Sequence, residues 1–312
     1  MQKIILVFGA TGIQGGSVAR QLLKDGEFKV RAATRDPSKE SAKALDALGA
    51  EVVAVDITVQ RDLDKAFDGV YGAFAVTNFW EHLDMNREEE DGKRMADTAA
   101  KYGVQHYLWS TVLNPRETTN GKVTGAAANQ GKANVDTYIR TIPSLLKATT
   151  FISTGAYYTN FLGDIMKPRK EGGAYILKLP VSPETKVYSF NPDELGNWVL
   201  GIFKAGEETR NGRTIYAYGG YYTFPEWINL WSQIANVDKA EFVQLNYEDC
   251  VQSYGQVIGD ILYASMQQFE KAEVSPYKEG EPLSSNNYFY GAGKPQAFEE
   301  WAQTIDWKKL GY

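Results

Sequence analysis

Short apolar runs and amphipathic stretches alternate through the first half of the chain. Residues 4–8 are apolar without interruption, the pattern of a strand covered on both faces, and 16–23 then places apolar residues at helical spacing. The same alternation predicts strands over 29–34, 51–56, 72–76, 106–110 and 148–153. Further helices are predicted over 38–48, 62–67, 86–102 and 129–141, the long 86–102 segment with its charges on the outer face. Strands and helices joined by short connections imply parallel βαβ units. The expected fold class is therefore α/β, a Rossmann-type doubly wound parallel sheet.

The rhythm stops near residue 155. Residues 156–186 are aromatic and irregular, with Gly172-Gly173 and Pro180 as turn signals. A strand at 187–190 leads through the capping sequence Asn191-Pro192-Asp193 into a helix over 195–203, and a late strand follows at 214–218. Residues 221–312 are rich in Tyr, Phe and Trp with scattered helical pattern. The expected organisation is a nucleotide-binding domain over 1–155, with 187–219 returning to it. Residues 156–186 and 220–312 then form a smaller α+β C-terminal lobe covering the cleft.

Between the first strand and its helix stand Gly9, Gly12 and Gly15, at Gly-x-x-Gly-x-x-Gly spacing. Such a turn lets backbone approach a pyrophosphate, while the helix N-terminus supplies free N–H groups and the positive end of a dipole. A dinucleotide is the expected ligand. In open parallel sheets ligands gather beyond the carboxyl ends of the strands, so those ends name the remaining candidates. Arg35, with Lys39 close by, follows the second strand where NAD-selective sites place an acid; a guanidinium there suits a 2′-phosphate and points to NADP(H), although Asp36 is adjacent. Asp56 would edge the adenine, and Thr77 and Asn78 would run along the pyrophosphate and nicotinamide ribose.

Charge narrows the partners. The 312 residues carry a formal net charge of −6 with both signs interspersed, and no basic stripe offers itself to nucleic acid. The single cysteine, Cys250, excludes an internal disulfide and suits a reducing compartment. No apolar run approaches the ~20 residues of a membrane span. A soluble, cytoplasmic protein, with nuclear entry open, is the expectation, and no metal site is expected.

The chain resembles the NmrA-like family, an atypical branch of the short-chain dehydrogenase/reductase superfamily. The resemblance rests on the stretch from Gly9 to Ala19 (Gly-Ala-Thr-Gly-Ile-Gln-Gly-Gly-Ser-Val-Ala), on Thr34-Arg35-Asp36-Pro37, and on Val76-Thr77-Asn78-Phe79-Trp80-Glu81. Gly131-Lys132, Tyr157-Tyr158-Thr159-Asn160-Phe161 and Asp193-Glu194-Leu195-Gly196 add to it. It implies NADP(H) held by Gly9, Gly12, Gln14, Gly15, Arg35 and Lys132, with Thr77 and Asn78 beside it; Thr11, Tyr157 and Asn160 are further candidates for the cofactor site. The family contains redox-sensing regulators, and its fold also carries NADPH-dependent reductases, so the implied partner is a regulatory protein or a small aromatic substrate, on a monomer or homodimer.

Short-chain dehydrogenases use Tyr-x-x-x-Lys on one helix, the tyrosine exchanging a proton with substrate and the lysine lowering its pKa. Lys132 suits the lysine position, but Ala128 stands four residues before it and has no proton to give. The resembling sensor subgroup commonly places His there, and this chain departs from that too. Candidate replacements are Lys132 itself, Tyr157 beyond the sixth strand, and Ser110 at the end of the fifth. Tyr158 and His82 are weaker candidates. Two functions follow: an NADP(H)-binding redox sensor, or an NADPH-dependent reductase of a small aromatic carbonyl, imine or enone.

Overall fold

The uninterrupted apolar runs become the middle of a sheet in the computed structural model, which describes residues 2–273, 286–291 and 293–312. In chain order the first part runs β1 (Ile4–Val7), α1 (Ile13–Asp25), β2 (Lys29–Thr34), α2 (Glu40–Ala47), β3 (Glu51–Ala54), α3 (Gln60–Phe67) and β4 (Gly72–Ala75). It continues with α4 (Met85–Lys101), β5 (His106–Thr111), α5 (Pro115–Thr118), α6 (Ala127–Arg140), α7 (Pro143–Ala148) and β6 (Thr149–Thr154). Beyond these lie β7 (Ala156–Tyr157), β8 (Arg169–Glu171), β9 (Ala174–Leu179), β10 (Lys186–Phe190), α8 (Leu195–Ala205) and β11 (Arg213–Ala217). The described chain then forms β12 (Gly220–Thr223), α9 (Phe224–Ala235), β13 (Ala240–Gln244), α10 (Tyr247–Tyr254), α11 (Gln256–Glu270) and a final short helix, Phe298–Ala302.

Seven strands form one sheet in the order β11-β6-β5-β4-β1-β2-β3, every pairing parallel. The direction of winding reverses between β1 and β4, which opens a crevice at the carboxyl ends of the strands. Alternate residues of β1 serve opposite cores. Ile5 and Val7 pack with α1 and α8, including Val18, Leu22, Trp198 and Val199. Leu6 joins Leu63, Met95, Trp109 and Val135 on the other face. This is the expected doubly wound α/β fold.

The lobe is built on two three-stranded sheets, β12-β10-β7 and β13-β9-β8. Its core is aromatic: Tyr158, Phe161, Trp227, Trp231, Phe298 and Trp301 are all buried together. Two details differ from the pattern-based organisation. β10 pairs with β12 and β7, so within 187–219 only α8 and β11 lie on the central sheet. Phe289 packs on Trp198 at 4.7 Å between ring centroids, alongside the central core and away from the lobe's aromatics. Residues 274–285 and 292 of the expected lobe lie outside the described residues.

The charges of α4 do not all lie on its outer face, contrary to the pattern-based expectation. Glu88 and Asp91 are buried. They fall on the inward stripe with Gly92, Met95, Ala96 and Ala99, so the helix brings an acid into the sheet-facing side.

Candidate dinucleotide site

The glycine turn has the geometry its spacing implies. Gly9 adopts φ +59°, in the left-handed region, and the Gly12 amide donates to the Gly9 carbonyl at 2.8 Å. Gly15 is required by space: a Cβ there would stand 2.3 Å from the Gly9 carbonyl oxygen and 2.4 Å from that of Phe8. Gly12 is the N-cap of α1 and offers no side-chain acceptor, so the first-turn amides keep no side-chain cap. Free amides, a dipole end and a backbone approachable at glycine fit a pyrophosphate. Thr11 Oγ1 lies 3.4 Å from Thr34 Oγ1, tying this turn to the end of β2.

Around the crevice the expected residues fall into three connected groups. In the first, Arg35 is exposed and forms a two-pronged ion pair with Glu81, Nη1 donating to Oε2 at 2.7 Å and Nη2 to Oε1 at 2.8 Å. Asn78 Nδ2 donates to the same carboxylate at 3.1 Å. The pair spans from the loop after β2 to the loop after β4. Lys39 stands exposed as the N-cap of α2. Asp56 accepts from the hydroxyl and amide of Thr58, bonds that hold its carboxyl below the usual range, with Arg35 adding a weaker field.

The second group surrounds Lys132. Its ammonium donates to the Thr77 carbonyl and Thr77 Oγ1, each at 3.0 Å, and to Glu88 Oε1. Three ammonium protons meet three acceptors. The side chain of Glu88 is fully buried and that of Lys132 nearly so. Thr77 Oγ1 donates to Glu88 Oε1 at 2.8 Å. Glu88 Oε2 has no hydrogen-bond partner among the described residues and lies 2.8 Å from where a Cβ on Gly131 would be, so the glycine before Lys132 makes room for this carboxylate. One helical turn before Lys132, Ala128 is buried against Phe79 and Ile261, with Met85 alongside.

In the third group, Ser110 Oγ donates to Gln14 Oε1 at 2.6 Å, and Gln14 Nε2 donates to the Tyr157 hydroxyl. The phenol therefore accepts from the amide and keeps its own proton for another acceptor. Burial pushes its pKa up, against the opposing effect of the Gln14 bond. Tyr158, the next residue, points into the lobe and donates to the Gln296 carbonyl at 3.2 Å. His82 Nδ1 accepts from the Asp84 amide and shapes its own loop. Asn160 is exposed on the 3-10 turn Tyr158–Leu162.

Sequence reasoning passed over two acids, Glu81 and Glu88. Glu88 carries a signal in hindsight: its position fits the apolar stripe continued at 92, 95, 96 and 99. Glu81 stands in the Val76–Glu81 stretch that carries the resemblance, but nothing in the sequence pairs it with a residue 46 positions away. Among the described residues no group of three or more His, Cys, Asp or Glu is placed to hold a metal ion.

A model of the NmrA-like family matches residues 1–302. An NmrA-like family domain-containing protein of Dictyostelium discoideum is 36% identical over 212 residues, which is 65% of this chain and 68% of that protein. The NmrA-like family domain-containing oxidoreductase FrzB of Cladobotryum sp is 33% identical over 251 residues, 75% of this chain and 74% of its own. Among solved structures, NmrA, a negative transcriptional regulator in complex with NADP, superposes with a TM-score of 0.81 at 21% identity, covering 100% of this chain and 99% of that one. That last likeness bears on the fold.

Proposed function

The chain belongs to the NmrA-like family, and on that footing we propose that it binds NADP(H) and works as a redox-responsive regulator. The amides at the start of α1, with Gly9, Gly12 and Gly15, would hold the pyrophosphate. Arg35 and Lys39 would meet the 2′-phosphate, with Asp56 toward the adenine. Thr77, Asn78, Lys132, Tyr157 and Asn160 would border the nicotinamide end. The bound cofactor supplies hydride chemistry; what the chain adds is orientation and a choice of proton donors.

One observation carries the regulatory reading: the ammonium of Lys132 is saturated by Thr77 and Glu88, and where short-chain dehydrogenases place their tyrosine stands an alanine packed under Phe79 and Ile261. Every proton of that ammonium is already donated within the protein. A regulator needs differential affinity, since a ligand shifts only the equilibrium it binds unequally. Titration calorimetry with NADPH and NADP+, followed by sedimentation of each complex, tests this. Unequal affinities with a cofactor-dependent change in shape or assembly support it; equal affinities and identical complexes overturn it.

The Ser110–Gln14–Tyr157 chain favours a second reading, an NADPH-dependent reductase of a small aromatic carbonyl, imine or enone. Its acid would be Tyr157, whose proton is kept by burial and left unspent by Gln14. FrzB is described as an oxidoreductase, which agrees with such a role. NADPH oxidation against a panel of aromatic acceptors, lost on Tyr157→Phe with cofactor affinity intact, would favour it over the regulator.

A further inference from the structure

We infer that Glu81 is a built-in stand-in for the 2′-phosphate: it occupies the Arg35 guanidinium, and a cofactor carrying that phosphate must displace it. The inference rests on the NADP(H) reading above. A guanidinium donates to a carboxylate or a phosphate in the same two-pronged fashion, so the two anions compete for the Nη1–Nη2 end of Arg35. The two prongs to Glu81, at 2.7 and 2.8 Å, occupy the end of the guanidinium formed by Nη1 and Nη2, so a phosphate seeking that end competes with the carboxylate. NAD(H) brings no anion to this point and would leave the pair closed. NADP(H) brings a phosphate and would open it.

Displacement has somewhere to go. Glu81 ends the 3-10 turn Phe79–Glu81, and the loop behind it is held in a costly conformation, with Leu83 at φ +56°. Phe79 at the other end of the turn packs on Ala128 of α6 and Ile261 of α11. Release of Glu81 therefore loosens a segment that touches the lobe through α11. The choice between the two cofactors is read as the position of this loop.

Trp80 supplies the readout. It is 51% exposed, whereas the other six tryptophans of the chain are at most 4% exposed, so iodide quenching of tryptophan emission reports on Trp80. The experiment compares wild type, Glu81→Gln, Arg35→Gln and the double variant, using calorimetry with NADP+ and NAD+. Adenosine 2′,5′-bisphosphate and adenosine 5′-monophosphate serve as probes for quenching. Glu81→Gln is expected to tighten NADP+ by about two- to five-fold, the scale of an exposed ion pair, and to leave NAD+ unchanged. In the Arg35→Gln background the same change should do nothing. The bisphosphate, and not the monophosphate, should alter iodide access in wild type and have no further effect in Glu81→Gln. Unchanged or weaker NADP+ binding by Glu81→Gln overturns the inference alone. Failure of the wild type to bind either dinucleotide overturns the inference together with the function it rests on.

Discussion

Lys132 and Glu88 show how one side chain changes the meaning of another. A lysine at this place in the fold reads as ribose-binding or catalytic until its partner is seen, and the partner lies 44 residues earlier in the chain. Removing one member of a buried ion pair leaves the other charge uncompensated. Glu88→Gln or Lys132→Ala is therefore expected to cost about 3–5 kcal/mol of folding stability, measured by urea denaturation. Replacing both together by Leu and Met should cost less than either single change. A single-residue loss below ~1 kcal/mol would show the pair to be solvated and Lys132 free for other work. Tyr157 gives a second test. As an acceptor of the Gln14 amide it contributes one hydrogen bond, so Tyr157→Phe should alter NADP+ affinity by no more than about tenfold. The parity of Tyr157 and Tyr158 was not legible beforehand. Which of two adjacent tyrosines faces the crevice depends on strand register, and two residues of β7 are too few to show a period.

α6 carries more than Lys132. One turn further on, Asp136 accepts from Thr111 Oγ1 at 2.9 Å, and its carboxyl is buried beside Trp109. Burial pushes its carboxyl up to about 7. A carboxyl whose folded pKa lies above its unfolded value binds its proton more tightly in the native state. Its contribution is fully present below the ordinary value of 3.8 and drains away as pH rises to about 7. The stability of wild type minus that of Asp136→Asn should accordingly fall with pH across that window and stay level above it. A flat difference would refute the raised pKa. The neighbouring strand has the opposite tendency: His106, depressed to about 3 chiefly by burial, loses stability as pH falls from 6.5 toward 3. At α1, Gly15→Ala would drive a methyl into two carbonyl oxygens, and loss of NADP+ binding with a lowered melting temperature is expected. The strands and helices of this half were legible because each strand is a short apolar run bounded by turn residues. The inward face of α4 was misread because its buried acids look like surface charge until their partners are known.

The two parts of the molecule differ in how far pattern could reach them. Parallel βαβ units repeat a simple rhythm, whereas the lobe is assembled from short strands and an aromatic core whose partners are far apart in sequence. The glycine turn named the ligand class, but the Arg35–Glu81 pair is tertiary. For the molecule as a whole, NADP+ at a hundredfold excess over its Kd should raise folding stability by ~2.7 kcal/mol, seen as a shift in the denaturation midpoint. Absence of any shift would argue against binding to the native fold. That native fold includes a weld between α1 and α8. Ser17 Oγ donates to the Asp193 carbonyl at 2.7 Å and accepts from the Gly196 amide at 2.9 Å, and a Cβ at Gly196 would lie 2.4 Å from the Ser17 carbonyl oxygen. On the proposed reading, the helix that would meet the pyrophosphate is thus an anvil, fixed before any dinucleotide arrives. A protein that told such cofactors apart on this scaffold would do so at the two ends of the ligand, through side chains and loops, with the buried helix as the fixed reference.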